Sequence, residues 1–396
     1  MPIPQISTID LLKLASGDVL SLQIYKFKGD YPKRLLKDTA SHIATRRATR
    51  SLTDRPGKKA YIQANLHGAE IVGNAVIQQL IEYLTALNAD QLTGEIWLVP
   101  VCNPMGVNQR SHFFSTGRFN SYDGKNWNRI FWDYQPEAAD LTKFAQSQLN
   151  KPPAEIRRNY LATIKQAWAA ELKRINLPRS VPLSRQYRYQ LQSLCLDADY
   201  VIDIHSSSNQ AIDYTFGFRE RTESFKYLLL EYGVLMDEYD GDAFDEAFLK
   251  PWLALERKLA NLGQKIQFDI EAWTLELGGG MVMNPDSVVK GLTGIKNYLA
   301  YKQMLPGIVN KTETTLVSKQ NINSYYAPTG GMIQSRLPLA AKVEPGEQIY
   351  QLLSFNKQGT TPEIINVQAE TSGIVFDIST NQCVNQGEYV MDILDC

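Results

Sequence analysis

Histidine is scarce in this chain, with His42, His67, His112 and His205 the only four among 396 residues. Cysteine is equally scarce. Cys102, Cys195, Cys383 and Cys396 stand far apart and form no CxxC pair. That spacing excludes a disulfide framework and a thiolate metal site, and a reducing cytoplasm is the expected setting. No apolar run approaches the roughly 20 residues that span a bilayer. The opening stretch, Met1 to Asp10, lacks a basic start followed by an apolar run, so no signal peptide is expected. Excess charge is missing too. A formal net charge of −1 leaves no electrostatic footprint for nucleic acid or an anionic membrane, and neither is expected as a partner.

What is present is an ordinary globular composition, 44% apolar and 21% charged. The length suffices for one large core and a second, smaller unit. In the first part, strands and helices alternate. Val19 to Phe27 reads as a strand, and Lys59 to Leu66 as another that runs directly into His67-Gly68-Ala69-Glu70. Ile71 to Leu84 then has helical apolar spacing at Ile71, Ala75, Ile77, Leu80, Ile81 and Leu84. Glu95 to Val101 is nearly all apolar, as a strand covered on both faces requires. Such alternation predicts an α/β domain around a parallel or mixed sheet. Ala154 to Ile175 is a long helical stretch, part of an expected helical insertion over about 135–190. Tyr200 to Ile204 and Phe268 to Leu277 read as further strands, and Ser287 to Met304 as a closing helix.

From residue 310 the pattern changes to short strands and turns, so two domains are expected, 1–309 and 310–396. The second contains an internal repeat. Thr329-Gly330-Gly331-Met332-Ile333 leads to Val343-Glu344-Pro345-Gly346-Glu347, and Thr371-Ser372-Gly373-Ile374-Val375 leads to Val384-Asn385-Gln386-Gly387-Glu388. Two copies of one unit predict a small pseudo-symmetric β barrel or sandwich. The pattern resembles the biotinyl/lipoyl half-barrel. Lys357 lacks the flanking residues of that family's modified lysine, and it reads as a turn residue.

Chemistry concentrates around two of the histidines. His67 and Glu70 sit three residues apart at a strand-to-helix junction, where both side chains can converge on one point. By itself HxxE is weak, because an acidic residue near a helix N-terminus is favoured by the helix dipole alone. His205 strengthens it. It ends an apolar strand, and ligands of open α/β sheets collect at such ends. His67, Glu70 and His205 together make a His2Glu set, which with water in the fourth position is a catalytic zinc arrangement. Asp203, two residues back on the same strand, shares the face of His205 and is placed to orient an imidazole. His42 lies among Arg46, Arg47 and Arg50, and His112 has no partner at ligand spacing, so neither joins the set.

Hydrolysis also requires a base that passes a proton to the leaving nitrogen. Glu276, in Leu275-Glu276-Leu277-Gly278-Gly279, is an acid in an apolar context at a strand end. That is a costly position without a function or a partner. Glu271 competes, but strand alternation puts the two on opposite faces, and Glu276 lies nearer the glycines at the strand end. The loop from Asn103 to Arg129 is rich in amide and guanidinium donors, including Arg110, Arg118 and Arg129. Such donors grip carboxylates and stabilise oxyanions.

The order H-x-x-E, N-P-x-G, N-R, D-x-H, E-L-G-G resembles the succinylglutamate desuccinylase/aspartoacylase family of zinc-carboxypeptidase-like hydrolases. The similarity extends over the whole chain, including the β-rich end. It implies a central mixed sheet flanked by helices with a small C-terminal β domain. It also implies one zinc ion per chain on His67, Glu70 and His205, with Glu276 as general base. Asn128 and Arg129 match the pair that binds the substrate carboxylate. Arg118, with Arg110 as the alternative, matches the arginine that polarises the scissile carbonyl. Two features depart from the family pattern. Asn126-Trp127 stands where Asp-Leu is usual, and the helical insertion is long. The implied activity is hydrolysis of an amide bond in an N-acyl amino acid. A metallocarboxypeptidase acting on short peptides and a binding protein without catalysis are the alternatives. An appended domain that narrows the cleft would favour the first of these three.

Overall fold

The computed structural model describes residues 4–29, 57–110, 115–236 and 242–395. His42, Arg46, Arg47, Arg50, His112 and Cys396 lie outside the described residues. In chain order the first strands are β1 (Gln5–Lys13), β2 (Val19–Lys28), β3 (Lys59–Ala64), β4 (Glu95–Val99), β5 (Tyr200–Ser207), the short β6 (Gln210–Ala211), β7 (Tyr214–Phe218), β8 (Tyr232–Met236), β9 (Glu271–Gly279) and β10 (Thr315–Ser318). All but β6 join one mixed sheet, side by side as β1-β2-β4-β3-β5-β9-β7-β8-β10. Its centre is parallel: β3 runs alongside both β4 and β5, and β5 alongside β9.

Alternation along these strands builds a core on each face. Ala60, Ile62, Ile202, Ile204 and Leu275 point to one side, against helices α1 (Val72–Ala86) and a later one that closes the domain. Tyr61, Val201 and Ala272 point to the other. Gly73 is where α1 closes on the sheet, because a Cβ there would lie 2.6 Å from that of Ala64. The remaining helices are α2 (Pro104–Asn108), α3 (Ala138–Ser147), α4 (Pro153–Ile175), α5 (Leu183–Gln192), α6 (Thr222–Phe225), α7 (Phe244–Asn261) and α8 (Pro285–Tyr301), the last being the partner of α1.

The insertion between β4 and β5 consists of three helices, α3 to α5. In α4, residues Ile156, Tyr160, Ile164 and Trp168 form a buried stripe at four-residue spacing. A buried ion pair ties this helix to the stretch before β5. The buried Arg157 donates to the buried Asp199 at 2.8 Å, just before β5, and the other Asp199 oxygen accepts from the Lys59 backbone N–H at 2.8 Å.

The C-terminal strands are β11 (Ile322–Tyr326), β12 (Gly331–Gln334), β13 (Lys342–Val343), β14 (Gln348–Ser354), β15 (Glu363–Gln368), β16 (Gly373–Ile378), β17 (Cys383–Val384) and β18 (Tyr389–Leu394). They form two sheets around a core that includes Ile333, Val343, Ile349, Val375, Val384 and Ile393. The sequence repeat becomes reciprocal pairing. The first long strand of copy one, β12, pairs with the short β17 of copy two, and β16 of copy two pairs with β13 of copy one. Lys357 lies in the exposed turn between β14 and β15. Beyond residue 310, β10 still pairs with β8 in the large sheet. In return β6 leaves the large domain and pairs with β16.

Replacing Arg157 with Ala removes the charged partner at 2.8 Å from the buried Asp199 carboxylate, while the partly buried Lys58 stays at 3.4 Å. Unfolding stability should fall by about 3 kcal/mol, the lower end for a broken buried pair. Urea unfolding at fixed metal content measures this, and an unchanged midpoint would refute the anchoring role of the pair.

Candidate active site

The strand end after β3 is held by glycine packing. Gly68 and Gly117, from two loops, and Gly106 of α2 stack so closely that a Cβ on Gly68 would lie 2.1 Å from the Gly106 carbonyl oxygen. One on Gly117, whose φ is +57°, would lie 2.2 Å from the same atom. The Gly68 and Ala69 N–H groups donate to the carbonyls of Gly117 and Thr116 at 3.2 and 2.9 Å. Asn103, at the N-terminus of α2, donates from its amide to the Leu66 carbonyl at 2.7 Å. This packing fixes His67 against the stretch that carries Arg118. That stretch doubles back through an antiparallel bridge between Phe119 and Asn126.

His67, Glu70 and His205 are all buried, and their candidate ligand atoms lie within 4.8 Å of one another. His67 Nδ1 is 2.8 Å from Glu70 Oε1, and His205 Nδ1 is 2.7 Å from Glu70 Oε2. The outer nitrogens are occupied: His205 Nε2 is 2.9 Å from Asp203 Oδ2, and His67 Nε2 is 3.0 Å from Asn126 Oδ1. Imidazole nitrogens of opposite ring edges, one inward and one held by an amide or carboxylate outside, are the usual geometry of histidine ligands. His205 makes the stronger case. Both its nitrogens face carboxylate oxygens, which a neutral ring with one N–H cannot satisfy, so either a second proton or a cation belongs on the inner side. Burial opposes charge on His205, but Asp203 and Glu70 raise its pKa well above the usual value. Burial likewise pushes the Glu70 carboxyl up, and the two histidines overcome it and hold the group below the carboxylate range. The donor set therefore fits a metal ion, and the group can hold one.

Glu276 lies directly across from His205 in the β5–β9 register. Its Oε2 is buried without a partner. Burial, together with Glu70, pushes its pKa up to about 7 against the pull of His205 and Arg118. Glu271 sits at the opposite end of the strand, where it accepts from Ser224, Tyr298 and Lys302 at 2.6–2.8 Å, away from the histidines. Arg118 reaches inward, with one guanidinium nitrogen 3.2 Å from His67 Nδ1, 3.4 Å from Glu70 Oε1 and 2.8 Å from Ser208 Oγ. Arg110 turns out to the surface, donating to the carbonyls of Val107 and Gln109.

Asn128 and Arg129 line the same cavity of about 440 Å3 as His67, Arg118, His205 and Glu276. Asn128 is buried and its Oδ1 accepts from the Phe244 N–H at 2.9 Å, while the more exposed Arg129 donates to the Asn128 carbonyl. Reasoning from sequence did not find several other residues here. Asn126 supports His67, and Ser208 supports Arg118. Asp245 lines the cavity, with its Oδ2 accepting from Thr274 at 2.8 Å, and burial and Glu246 push its pKa up to about 6. Lys319 reaches the cavity from beyond β10. Asp377 of β16 accepts from Ser207 Oγ, from the Asn209 amide at 3.2 Å and from Tyr389 OH at 2.6 Å. It fastens the loop after β5 to the β domain. Only Asn126 carried a sequence signal, as the departure from the usual Asp.

Residues 56–302 match the succinylglutamate desuccinylase/aspartoacylase catalytic domain. The chain belongs to this family. Its members are hydrolytic deacylases, and a mixed sheet with helices and a β-rich C-terminal region is the family fold, as the sequence implied. A family protein from Shewanella amazonensis SB2B is 26% identical with a TM-score of 0.84, and 98% of each chain is covered. Another, from Shewanella frigidimarina NCIMB 400, is 24% identical with a TM-score of 0.84, covering 100% of this chain and 98% of that one. The product-bound ectoine utilization protein EutE from Ruegeria pomeroyi shares the fold at 15% identity and a TM-score of 0.63, covering 100% of this chain and 99% of that one. No curated protein sequence matches. Among the described residues no helix is long and apolar enough to cross a membrane.

Asp377→Ala leaves three donors without their acceptor. Stability should drop by about 1–3 kcal/mol, the cost of stranding buried hydrogen-bonding groups. Chemical denaturation reads the change, and a wild-type midpoint would show that the clasp between the domains is dispensable.

Proposed function

We propose that this protein is a zinc-dependent deacylase that hydrolyses the amide bond of an N-acyl amino acid or a similar small carboxylate. One ion per chain is held by His67, Glu70 and His205. The observation that carries this reading is the convergence of both Nδ1 atoms on the Glu70 carboxylate, with His67 and His205 lining a cavity that Glu276 and Arg118 also line. When bound, the ion supplies Lewis acidity at the carbonyl and makes a water more acidic.

Glu276 takes a proton from the attacking water as its oxygen bonds to the carbonyl carbon. The same carboxyl returns that proton to the nitrogen as the C–N bond breaks, leaving a carboxylic acid and a free amine. A pKa near 7, the result of burial, suits it to both transfers at neutral pH. Arg118 donates to the carbonyl oxygen as negative charge develops there. Asn128 and Arg129 hold the substrate carboxylate at the cavity wall. A volume of about 440 Å3 is that of a site for a small molecule, and Lys319, from the stretch leading to the β domain, lines the same cavity. Both features support a small acylated amino acid over a peptide in an open groove. A reducing cytoplasm suits Cys102, Cys195 and Cys383, which are free thiols.

His205→Ala should lose zinc and activity together, measured by elemental analysis and turnover. A full equivalent of zinc in the purified variant would remove His205 from the ligand set. Glu276→Gln keeps shape but cannot accept the proton. Zinc should remain while turnover falls by about 10²–10⁴-fold.

For Arg129 the expected signature is a demand for a free carboxylate. A charge-assisted arginine contact contributes about 1.5–3 kcal/mol. Amidated substrates should therefore lose at least about tenfold in kcat/KM, and Arg129→Lys should imitate much of the loss. Equal rates on acid and amide forms would sink the carboxylate clamp.

A further inference from the structure

Arg129 borders a second cavity as well as the first. This space of about 180 Å3 is lined by Lys125, Arg129, Arg185 and Arg188, together with Ser184 and a single carboxylate, Asp242. Arg185 and Arg188 come from α5, the last helix of the insertion. Arg188 is fixed in place. Its guanidinium donates to the Ile130 carbonyl at 2.9 Å and to the Tyr189 hydroxyl at 3.2 Å, and its Nε–H is buried with no partner. The helix itself is pinned to the substrate loop, with Tyr187 OH donating to the Cys102 carbonyl at 2.9 Å and the Tyr187 ring edge-on to Trp127.

Among the described residues Arg129, Arg185 and Arg188 enter no ion pair, and Lys125 meets only Asp123, at 4.0 Å. Among the described lining residues four cations face one carboxylate, and even with Asp123 beside Lys125 and Glu171 near Arg185 the cluster keeps an excess of positive charge, which an incoming anion relieves. The volume is below the roughly 300–1,000 Å3 of a pocket for a whole small ligand. It suits one oxyanion group.

We propose that this cavity is an anion subsite, supplied by the inserted helix, which takes a carboxylate or phosphate group immediately beyond Arg129. The group is either carried by the substrate, on the side away from the reacting carbonyl, or is a free anion that sets the position of Arg129. The substrate-borne case rests on the deacylase reading above; the subsite itself does not.

The probe is inorganic phosphate, titrated calorimetrically into the full-length protein in zinc-free and zinc-loaded forms. The variant is Lys125→Ala/Arg185→Ala. Both side chains are exposed, so folding is expected to survive and is checked by the melting temperature. Phosphate should bind the wild type in both forms, and the double variant should bind at least about tenfold more weakly in both. Binding to the zinc-loaded form alone, or equal binding by variant and wild type, overturns the proposal.

A kinetic arm then separates the two sources, using N-acetylphosphoserine against N-acetylserine and N-acetylglutamate against N-acetylglutamine. A substrate-borne group predicts that the wild type favours the charged member through KM, and that the preference shrinks in the variant. A free anion predicts no preference, with phosphate instead shifting KM for the uncharged member in the wild type alone. Should no N-acyl amino acid be hydrolysed, the deacylase reading fails while the phosphate titration still decides the subsite.

Discussion

The Glu70 carboxylate, gripped from both sides by imidazole nitrogens, is the contact on which the arrangement of the cavity depends. It brings together two elements that are distant in sequence, the junction after β3 and the end of β5. A buried carboxylate is costly unless it is paired, and here the pairing groups are themselves buried and braced from outside by Asp203 and Asn126. The braces then constrain what surrounds them. Asn126 can reach His67 only because the loop from Arg118 folds back on itself, and that fold requires the glycine stack at Gly68, Gly106 and Gly117.

How much of this was legible follows from range. His67 and Glu70 are three residues apart, and His205 ends an apolar strand, so local periodicity was enough to propose them together. Glu276 was legible for a similar reason, since an acid amid leucines at the end of a strand contradicts its surroundings. The choice between Arg118 and Arg110 was not legible. Both lie in one donor-rich stretch, and what separates them is the left-handed Gly117 beside Arg118, a feature that appears only when it packs against Gly68 and Gly106 of α2. Ser208 and Asp377 were invisible for the same reason, because their partners are 90 and 170 residues away.

The domain junction shows a different limit. Thr315–Ser318 is four residues long with only Val317 buried, too short to present a period, and the strand is defined by the edge of β8 that it covers. The exchange is mutual, because Gln210–Ala211, only two residues long, comes from the larger unit and pairs with β16. Two short strands swapped between units, with Asp377 fastened beside one of them, couple the β domain to the loop that supports Arg118. Neither domain can shift far without moving Ser207–Asn209.

Imperfect satisfaction of polar atoms is informative here. Most buried polar groups in a folded chain find partners, and those that do not call for a reason. Glu276 Oε2, Asp203 Oδ1 and Ser206 Oγ are all buried without one. They come from two adjacent strands within a few residues of one another, where His205 and Glu276 lie side by side. A fold optimised only for stability would have filled these positions with apolar residues like their neighbours Ile204, Leu275 and Leu277, which are completely buried. Glu276 and Ser206 line the cavity and Asp203 is buried behind His205, an arrangement that suits the proposed cation and proton-transferring carboxylate.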